Sequence, residues 1–468
     1  MIKPSQKYLL LSIWMVTTSL LVTAQDYKAT RINNRLPIIT DKHFTDLRAT
    51  SDEGENINGP SLIRLPDWVP LDKRVDPSAV YYLYFAHHQG NYIRLAWASK
   101  LEGPWKLHKT GADINVGNRG VLDLGVDDRI ELENGRVIKD HIASPDVLVD
   151  HENQRIIMYF HARTINPGGQ RTFVSFSNYG LSFLEHIQAV VLGGSYFKVF
   201  EYRGIMYAVD NRADIYKGGS VEDPWKIPAG FNYEDMLWLE QEDDAFQSDI
   251  DADSKLAGKD IEIRHVGVHV SEDTLYVFYS RIGDAPERIM LSTIRLDNRT
   301  FEEWDPSYPP KDILKPDREW EGSNLPNLPS DGGSTKKEVN QVRDPDVFEN
   351  SDGSLYLLYT GAGEFGIGLA RLEKKTETVR VLKPEIKALM DPLQGGLMLK
   401  IVAYKNVEYT IRIFSLDGKL VDVINGRCQA DGKAYHKWKP QALNQGIYIA
   451  NLITKNHSTS VKFSFQFR

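Results

Sequence analysis

Carboxylate and imidazole side chains recur in this sequence beside short proline motifs and at the borders of strand-like segments. Ser144-Pro145-Asp146 and Arg343-Asp344-Pro345-Asp346 each precede a valine, while His87-His88, His161 and His265 flank aromatic stretches. Carboxyl and imidazole groups can give or take a proton near neutral pH when their surroundings adjust their pKa values. These residue types therefore favour general acid–base chemistry, provided that the fold brings them together.

Five segments share one order of elements, which predicts how the motifs are positioned. Each has a strand that opens with polar or small residues, a turn, a strongly apolar aromatic strand and a third strand. Alternation with a period of two, with turns of Asp, Asn, Gly or Glu, predicts antiparallel strands joined by hairpins. The spacing is typical of propeller blades, so the sequence predicts an all-β, five-bladed β-propeller. The segments are residues 59–99, 144–177, 196–218, 265–296 and 344–372.

Two other architectures remain open at this point. A sixth unit could lie within residues 297–341, although the Pro, Asp and Gly content of that stretch predicts a loop. A series of immunoglobulin-like sandwiches would also supply short alternating strands. The run at residues 249–253 alternates aspartates like a calcium loop but lacks the required Gly and Glu, so it predicts a solvated acidic loop.

The two ends of the chain differ from the repeats. Residues 1–24 combine two lysines, an apolar stretch and small residues before a cleavage point, which predicts a signal peptide. An uncleaved membrane anchor is the alternative for this stretch; no other stretch could span a membrane. Residues 25–54 then form a lead-in, residues 55–392 the propeller, and residues 393–468 a small β-sandwich.

Composition excludes several classes of function. The formal net charge of −8 gives no basic field, which argues against a nucleic-acid partner. Cys428 is the single cysteine, so no internal disulfide can form. Phosphate-binding glycine loops, zinc-ligand spacing and a Gly-x-Ser-x-Gly elbow are all absent from the sequence. No cofactor is predicted, with a structural calcium ion on the propeller axis as the alternative.

The predicted site lies where the blades converge. In a propeller the first strand of each blade lines the central channel, so residues that open first strands or end second strands should meet at one end of the axis. Arginine and lysine there would bind the carboxylate or sulfate of an anionic sugar. The predicted catalytic residues are Asp146, Asp344, Asp346, His88, His161 and His265. The predicted substrate-binding residues are Asn58, Ser61, His87, Gln89, Arg94, Arg163, Lys198, Asp210, Arg281, Arg343 and Glu364.

The strings YYLYFAHHQGNYIRLAWASKLEGPWK and LYLLYTGAGEFGIGLARL, with the two proline motifs, resemble the five-bladed propeller glycosidases of families 43, 32, 68 and 117. The resemblance covers residues 55–375 and implies paired carboxylates: a base opening blade one, an Asp opening blade two and a Glu acid in blade three. Asp146 matches the blade-two position. Gly59-Pro60-Ser61 stands where the blade-one base would be, and neither Glu201 nor Asp210 matches the acid. A histidine acid, as in family 117, is the implied replacement.

The C-terminal order IRIFSLDGKLV, YHKWKP, LNQGIYIANLIT and SVKFSF resembles the type IX secretion sorting domain of Bacteroidota. The motifs that carry the resemblance are Asp417-Gly418-Lys419, Gly446-Ile447-Tyr448 and Lys462-Phe463. It implies the type IX secretion machinery as a partner and a secreted or outer-membrane-surface protein. An ordinary carbohydrate-binding or immunoglobulin-like module is the alternative for this tail.

Together these features predict a secreted glycosidase that acts on an anionic, algal-type polysaccharide or its oligosaccharides from the chain end. Acid–base catalysis would occur at the propeller axis. Two alternatives stay open: a polysaccharide lyase that uses histidine and arginine, and a non-catalytic glycan-binding propeller. The missing carboxylate in blade one favours the non-catalytic alternative.

Overall fold

The computed structural model describes sixteen stretches of the chain, which form two compact units within Met1–Lys375 and Thr376–Arg468. The predicted signal peptide at residues 1–24 lies outside these stretches. Within them, no helix has both the length and the apolar character needed to cross a membrane. The described residues are 26–44, 56–87, 90–108, 119–125, 127–165, 168–226, 232, 236–242, 244–297, 299–375, 384–391, 396–402, 407–429, 433–438, 446–454 and 458–465.

The first unit is built almost entirely from strands. In chain order they begin with β1 (Asp26–Arg31), β2 (Ile39–Thr40), β3 (Asn58–Arg64), β4 (Tyr81–Ala86), β5 (Tyr92–Ala98), β6 (Lys106–Leu107), β7 (Leu122–Asp123), β8 (Arg129–Glu131), β9 (Val137–Asp150), β10 (Arg155–Ile165) and β11 (Gly169–Ser177). They continue with β12 (Lys198–Tyr202), β13 (Ile205–Val209), β14 (Ile215–Ser220), β15 (Leu239–Glu240), β16 (Glu262–Ser271), β17 (Thr274–Ile282), β18 (Ile289–Arg295), β19 (Lys311–Leu314), β20 (Val342–Glu349), β21 (Leu355–Gly361) and β22 (Gly366–Lys375).

These strands form five antiparallel sheets. The first sheet has the order β3-β4-β5-β6 with β7 on β5, and the second has the order β8-β9-β10-β11. The third and fourth run β12 to β15 and β16 to β19, and the fifth has the order β20-β21-β22-β1 with β2 on β22. We call β3, β9, β12, β16 and β20 the inner strands, because residues of all five line one axial cavity.

Contacts between neighbouring sheets close this arrangement into a ring. The Val147 amide donates to Ser61 Oγ (2.9 Å), and the Val199 amide donates to Asp146 Oδ2 (2.8 Å). The Tyr202 hydroxyl donates to Asp273 Oδ1 (2.7 Å) between the third and fourth sheets. His265 bonds Asp344 between the fourth and fifth sheets, and the Ile57 amide donates to the Glu364 carbonyl between the first and the fifth. The first unit is therefore a five-bladed β-propeller, as the sequence predicts.

The aromatic second strands are buried on both faces, which explains their continuous apolar sequence. All six residues of β4 are buried. Tyr82 and Tyr84 pack into the core shared with the second sheet, whereas Leu83 and Phe85 pack into the core shared with the fifth sheet. Burying each such side chain contributes about 1.5–3 kcal/mol, so β4 holds its own sheet to the neighbouring sheet on either side.

Three predicted elements differ from the structure. The lead-in at residues 25–54 contributes β1, which pairs with β22 and completes the fifth sheet. The aspartates at residues 249–253 lie on the helix α1 (Gln247–Ala257) and not in an acidic loop. The stretch 297–341 adds β19 to the fourth sheet, and the described residues of the first unit form no sixth sheet. Short 3-10 helices span Asn33–Arg35, Asp41–Phe44, Leu71–Lys73, Leu184–His186, Phe301–Glu303 and Glu319–Glu321.

The second unit is a small β-sandwich. Its strands are β23 (Glu385–Asp391), β24 (Gly396–Val402), β25 (Glu408–Ser415), β26 (Leu420–Arg427), β27 (Lys433–Trp438), β28 (Gly446–Thr454) and β29 (Ser458–Phe465). One sheet has the order β23-β24-β27 and the other β26-β25-β28-β29, with a shared core that includes Cys428. Because β23 pairs with β24, this unit begins before the predicted boundary at residue 393.

Candidate active site

The inner strands open with an unusual backbone conformation that repeats around the axis. Gly59, Ser144 and Asp344 each precede a proline and have φ values of 55°, 45° and 53°, and Tyr196, just before β12, has a φ of 67°. Each of the three proline positions coincides with a shift in the ladder to the second strand. Such bulges redirect side chains, and left-handed φ values in non-glycine residues store strain that is common at functional sites. The sequence motifs thus turn side chains toward the axis.

Three charged residues from three sheets meet on the axis. The Lys198 ammonium lies 3.3 Å from Asp146 Oδ1 and 2.7 Å from Asp346 Oδ1. Burial raises the pKa of Asp146 to about 6, with Asp346 acting in the same direction, against the lowering by Lys198 and the Val199 amide. Burial alone would lower the pKa of Lys198, but the two carboxylates hold it above its ordinary value, so the ammonium stays charged. We call this group the axial triad.

The axial triad forms the floor of a cavity of about 730 Å³. The sequence predicts a pocket at the end where the inner strands open, whereas this cavity is lined by their later residues and following turns, including Arg64, His151 and Glu349. At the opening end, Lys198, Ser144, Tyr196 and His265 line only a small cavity of about 20 Å³. Aromatic rings fill the axis there.

Tyr196 is the ring that occupies this position. It stacks on His161 with centroids 3.9 Å apart and lies 4.5 Å from His265. His161 Nε2 lies 2.8 Å from His141 Nε2 on the neighbouring strand. Burial and nearby carboxylates raise the pKa of Tyr196 above its ordinary value, so its hydroxyl stays protonated. Two of the predicted histidines are thus brought together by a tyrosine that sequence reasoning missed.

His265 and Asp344 form a buried hydrogen-bonded pair beside this stack. His265 Nδ1 bonds Asp344 Oδ1, and Thr360 donates to Asp344 Oδ2 (3.2 Å). Burial alone would raise the pKa of Asp344, but His265 and the guanidinium groups of Arg343 and Arg264 hold it well below its usual range. Asp344 is therefore ionised and holds the imidazole in place, whereas Asp346 belongs to the axial triad.

Most of the predicted cationic residues are engaged by internal partners. Arg343 contacts Glu364 (3.4 Å), and both side chains are fully buried. Arg281 forks to Asp284 (3.1 Å) and contacts Asp253. Arg94 is stacked on Phe85 and donates to backbone carbonyls. These guanidinium groups hold the blade corners together, which differs from the predicted anion-binding role.

The remaining predicted residues are dispersed. Ser61 accepts from the Val147 amide, and Asn58 is buried at the start of β3. Arg163 is exposed on β10. Asp210 caps a turn through the Arg212 and Asp214 amides, and burial raises its pKa to about 8.

His87 directly follows β4, and its carbonyl accepts a hydrogen bond from the Gly90 amide (2.8 Å). His88 and Gln89 lie outside the described residues. The predicted catalytic role of His88 therefore stays a prediction, as does the substrate-binding role of Gln89.

His141 and Tyr196 were absent from the predicted set, although the sequence holds a signal for both. His141 lies two residues before Ala143, which pairs with His161, and alternate residues of a strand share a face. Tyr196 stands where Ser144 and Asp344 stand in their own repeats. Aligning the repeats by the opening of the inner strand, and not by the aromatic strand alone, would have selected it.

The axial triad does not suit a calcium ion, which the sequence analysis gave as the alternative to having no cofactor. The Lys198 ammonium stands between the two axial carboxylates and occupies the position that a metal cation would need. Among the residues that the structure describes, Asp214, Glu240 and Asp244 are carboxylates close enough to share a cation, in the third sheet and the segment after it.

The C-terminal region matches the family described as "Secretion system C-terminal sorting domain" over residues 391–466. This match confirms the type IX sorting tail that the sequence predicts. The protein is therefore secreted or attached to the cell surface.

Solved structures that resemble this chain include glycoside hydrolases. A thermostable family-43 glycoside hydrolase is 16% identical, with 68% of this chain and 89% of that chain covered at a TM-score of 0.42. An exo-1,5-alpha-L-arabinanase from a bovine ruminal metagenomic library is 11% identical, with 72% and 94% covered at a TM-score of 0.38. TM-scores of this size carry no argument about this chain, whose architecture is established by the strand pairing above.

The sequence of this chain is similar to that of an uncharacterized protein of Acanthamoeba polyphaga mimivirus. It is 33% identical over 351 residues, which cover 73% of this chain and 90% of that protein. Identity at this level over most of both chains indicates common descent of the whole propeller-sized region. The chain therefore belongs to the same protein family as this mimivirus protein.

Proposed function

We propose that the protein is a secreted glycoside hydrolase whose acid–base chemistry takes place at the axial triad. One observation carries the proposal. Asp146 and Asp346, from different sheets, share the Lys198 ammonium at the floor of a cavity of about 730 Å³, and the pKa of Asp146 is raised to about 6. Two carboxyl groups in different electrostatic surroundings are what glycosidic cleavage requires.

The roles follow from the charges. Asp146, protonated below about pH 6, donates its proton to the glycosidic oxygen as the bond from that oxygen to the anomeric carbon breaks. Asp346, held beside the Lys198 ammonium, is the second carboxylate. It either takes a proton from the attacking water, or first bonds the anomeric carbon and is then displaced by a water that gives its proton to Asp146. The water oxygen forms the new bond to the anomeric carbon, and the leaving sugar departs as an alcohol.

The shape of the cavity supports action on a chain end. Its inner end is bounded by Lys198, and the Tyr196 stack lies beyond it on the axis, so a polysaccharide chain has no described path through. A blind pocket of this kind accommodates terminal sugar units and excludes internal ones. The anionic substrate predicted from the sequence is left out of the proposal, because Arg94, Arg281 and Arg343 are engaged elsewhere.

The sorting tail supports the same assignment. Residues 391–466 direct the chain out of the cell, where polysaccharides too large to enter are found. An exo-acting hydrolase at the cell surface would release sugars small enough for uptake. The substrate panel therefore contains both neutral and acidic oligosaccharides from plant and algal polysaccharides.

The test is a product analysis on neutral and acidic oligosaccharides with the wild type, Asp146→Asn and Asp150→Asn. Asp150 ends the same strand but pairs with Arg155 away from the axis, which makes it the matched control. We expect saturated sugar from the wild type and the control, and a loss of about 10²–10⁴-fold in Asp146→Asn. Ultraviolet-absorbing unsaturated product would assign a lyase. Binding without turnover in the wild type would make the propeller a recognition module.

A further inference from the structure

His141 and His161 form a buried pair with converging ring nitrogens. The two side chains lie on the adjacent strands β9 and β10 and are 5% and 0% exposed. Their Nε2 atoms are 2.8 Å apart, with ring centroids at 4.8 Å and ring planes tilted by 46°. Both rings therefore direct the same atom toward one point inside the protein.

The backbone is shaped to produce this convergence. His161 pairs with Ala143, and the ladder then shifts so that Ala162 faces Ile142 and Arg163 faces Lys139. The extra residues are Asp140, which has a φ of 61°, and His141 itself. A bulge of this kind re-aims a side chain and is common beside functional sites. The position of His141 is thus a specific feature of β9.

The spacing suits two ligands of one metal ion. Metal–nitrogen bonds of about 2.0–2.1 Å place two nitrogen atoms about 2.9 Å apart at the right angle of an octahedral site, and about 3.3 Å apart at the tetrahedral angle of zinc. Neutral imidazole is the commonest protein ligand for metals, and it favours zinc, copper, nickel and iron over magnesium and calcium. An imidazole–imidazole hydrogen bond requires the same distance, with a proton on one ring and a lone pair on the other. The surroundings of the pair favour the metal.

Those surroundings hold the rings and supply negative charge. Tyr196 stacks on His161 at 3.9 Å with planes 20° apart, which fixes the orientation of that imidazole. Asp344 and Glu364 act electrostatically on Tyr196, the ring that is stacked on His161. A rigid orientation and nearby negative charge are the second layer that metal-bound histidines usually have.

We propose that His141 and His161 bind one divalent transition-metal ion through their Nε2 atoms. Both side chains are buried, so coordination positions beyond these two protein ligands would be filled by buried water and not by a sugar. Neither the floor of the cavity nor Asp146 takes part in this site. The inference is therefore independent of the proposed function and can fail or stand without it.

The experiment uses the full chain after removal of metals with a chelator. Zn²⁺ is titrated by calorimetry, and Co²⁺ is titrated by its visible spectrum, with the wild type, His141→Gln, His161→Gln and His269→Gln. His269 is a partly buried strand histidine in the fourth sheet and serves as the control. Circular dichroism establishes that each variant is folded.

We expect one equivalent of either metal in the wild type and in His269→Gln. Affinity should fall by roughly 10- to 100-fold or more in each variant of the pair. Absence of stoichiometric binding in the folded wild type would overturn the proposal, as would equal binding in folded His141→Gln and His161→Gln. Either result would identify the pair as an imidazole–imidazole hydrogen bond.

Discussion

Replacing Lys198 by methionine tests the electrostatics of the axial triad. The change keeps the length of the side chain and removes the ammonium that contacts Asp146 and Asp346. The two carboxylates would then face each other across the axis without a counter-charge. All three side chains are buried, so water cannot replace the lost partner at low cost.

The expected loss is large and depends on pH. Removing one partner of a buried ion pair lowers the free energy of unfolding by about 3–5 kcal/mol. Lys198 lowers the pKa of Asp146, so the variant raises that pKa further above its value of about 6. At about pH 5 Asp146 is protonated and the repulsion between the carboxyl groups is relieved, at about 1.4 kcal/mol per unit of pKa shift. The loss at about pH 8 should therefore exceed the loss at about pH 5 by at least about 1 kcal/mol.

Urea unfolding of the wild type, Lys198→Met and Lys217→Met at these two pH values measures both quantities. Lys217 lies on β14 of the same sheet and is exposed, so its replacement should change the free energy of unfolding by less than about 0.5 kcal/mol. A Lys198→Met variant as stable as this control would refute the idea that the ammonium neutralises the axial carboxylates. So would a loss that is the same at both pH values.

Three further predictions concern other parts of the structure. Wild-type stability should fall as pH rises from about 4 to about 6, because carboxyls with raised pKa values, Asp146 among them, stay protonated only in the folded state. Asp146→Asn should remove the share of this slope that Asp146 contributes, about 3 kcal/mol, and urea unfolding of both proteins across this range should show the difference. Glu321→Gln should weaken the buried pair with Arg31 (2.6 Å) by about 3 kcal/mol and speed hydrogen exchange in β1, whereas unchanged exchange would contradict the idea that this pair holds β1 in the fifth sheet. Gly322→Ala should lower stability by about 1–3 kcal/mol, since Gly322 has a φ of 81° and a Cβ there would meet the Val339 carbonyl; an unchanged thermal midpoint would refute this.

The features that follow from local sequence were predictable. Strands such as β4 and β21 alternate two buried faces between neighbouring sheets, so their aromatic sequences appear as clear repeats. The proline motifs before Asp146 and Asp346 mark the bulges that turn these carboxylates to the axis. The sorting tail was predictable because its turn and strand motifs are specific.

Features that depend on distant partners were not predictable from local patterns. The strand β1 has a mixed sequence, and its place comes from pairing with β22 about 340 residues later in the chain. The predicted role of Arg343 changed because its partner is Glu364, which only the folded chain brings to it. The location of the cavity likewise depends on Tyr196, whose ring fills the axis at the end where the sequence predicts an opening.

The pH dependence of kcat/KM tests the central claim most directly, once the panel has identified a substrate. The account predicts that kcat/KM of the wild type falls as pH rises through about 6, where Asp146 loses the proton it must donate. Asp346 raises the pKa of Asp146, so Asp346→Gln or Asp346→Asn should move any residual activity limb to lower pH. A wild-type profile that is flat across this range, or a limb that moves to higher pH in Asp346→Asn, would contradict Asp146 as the acid.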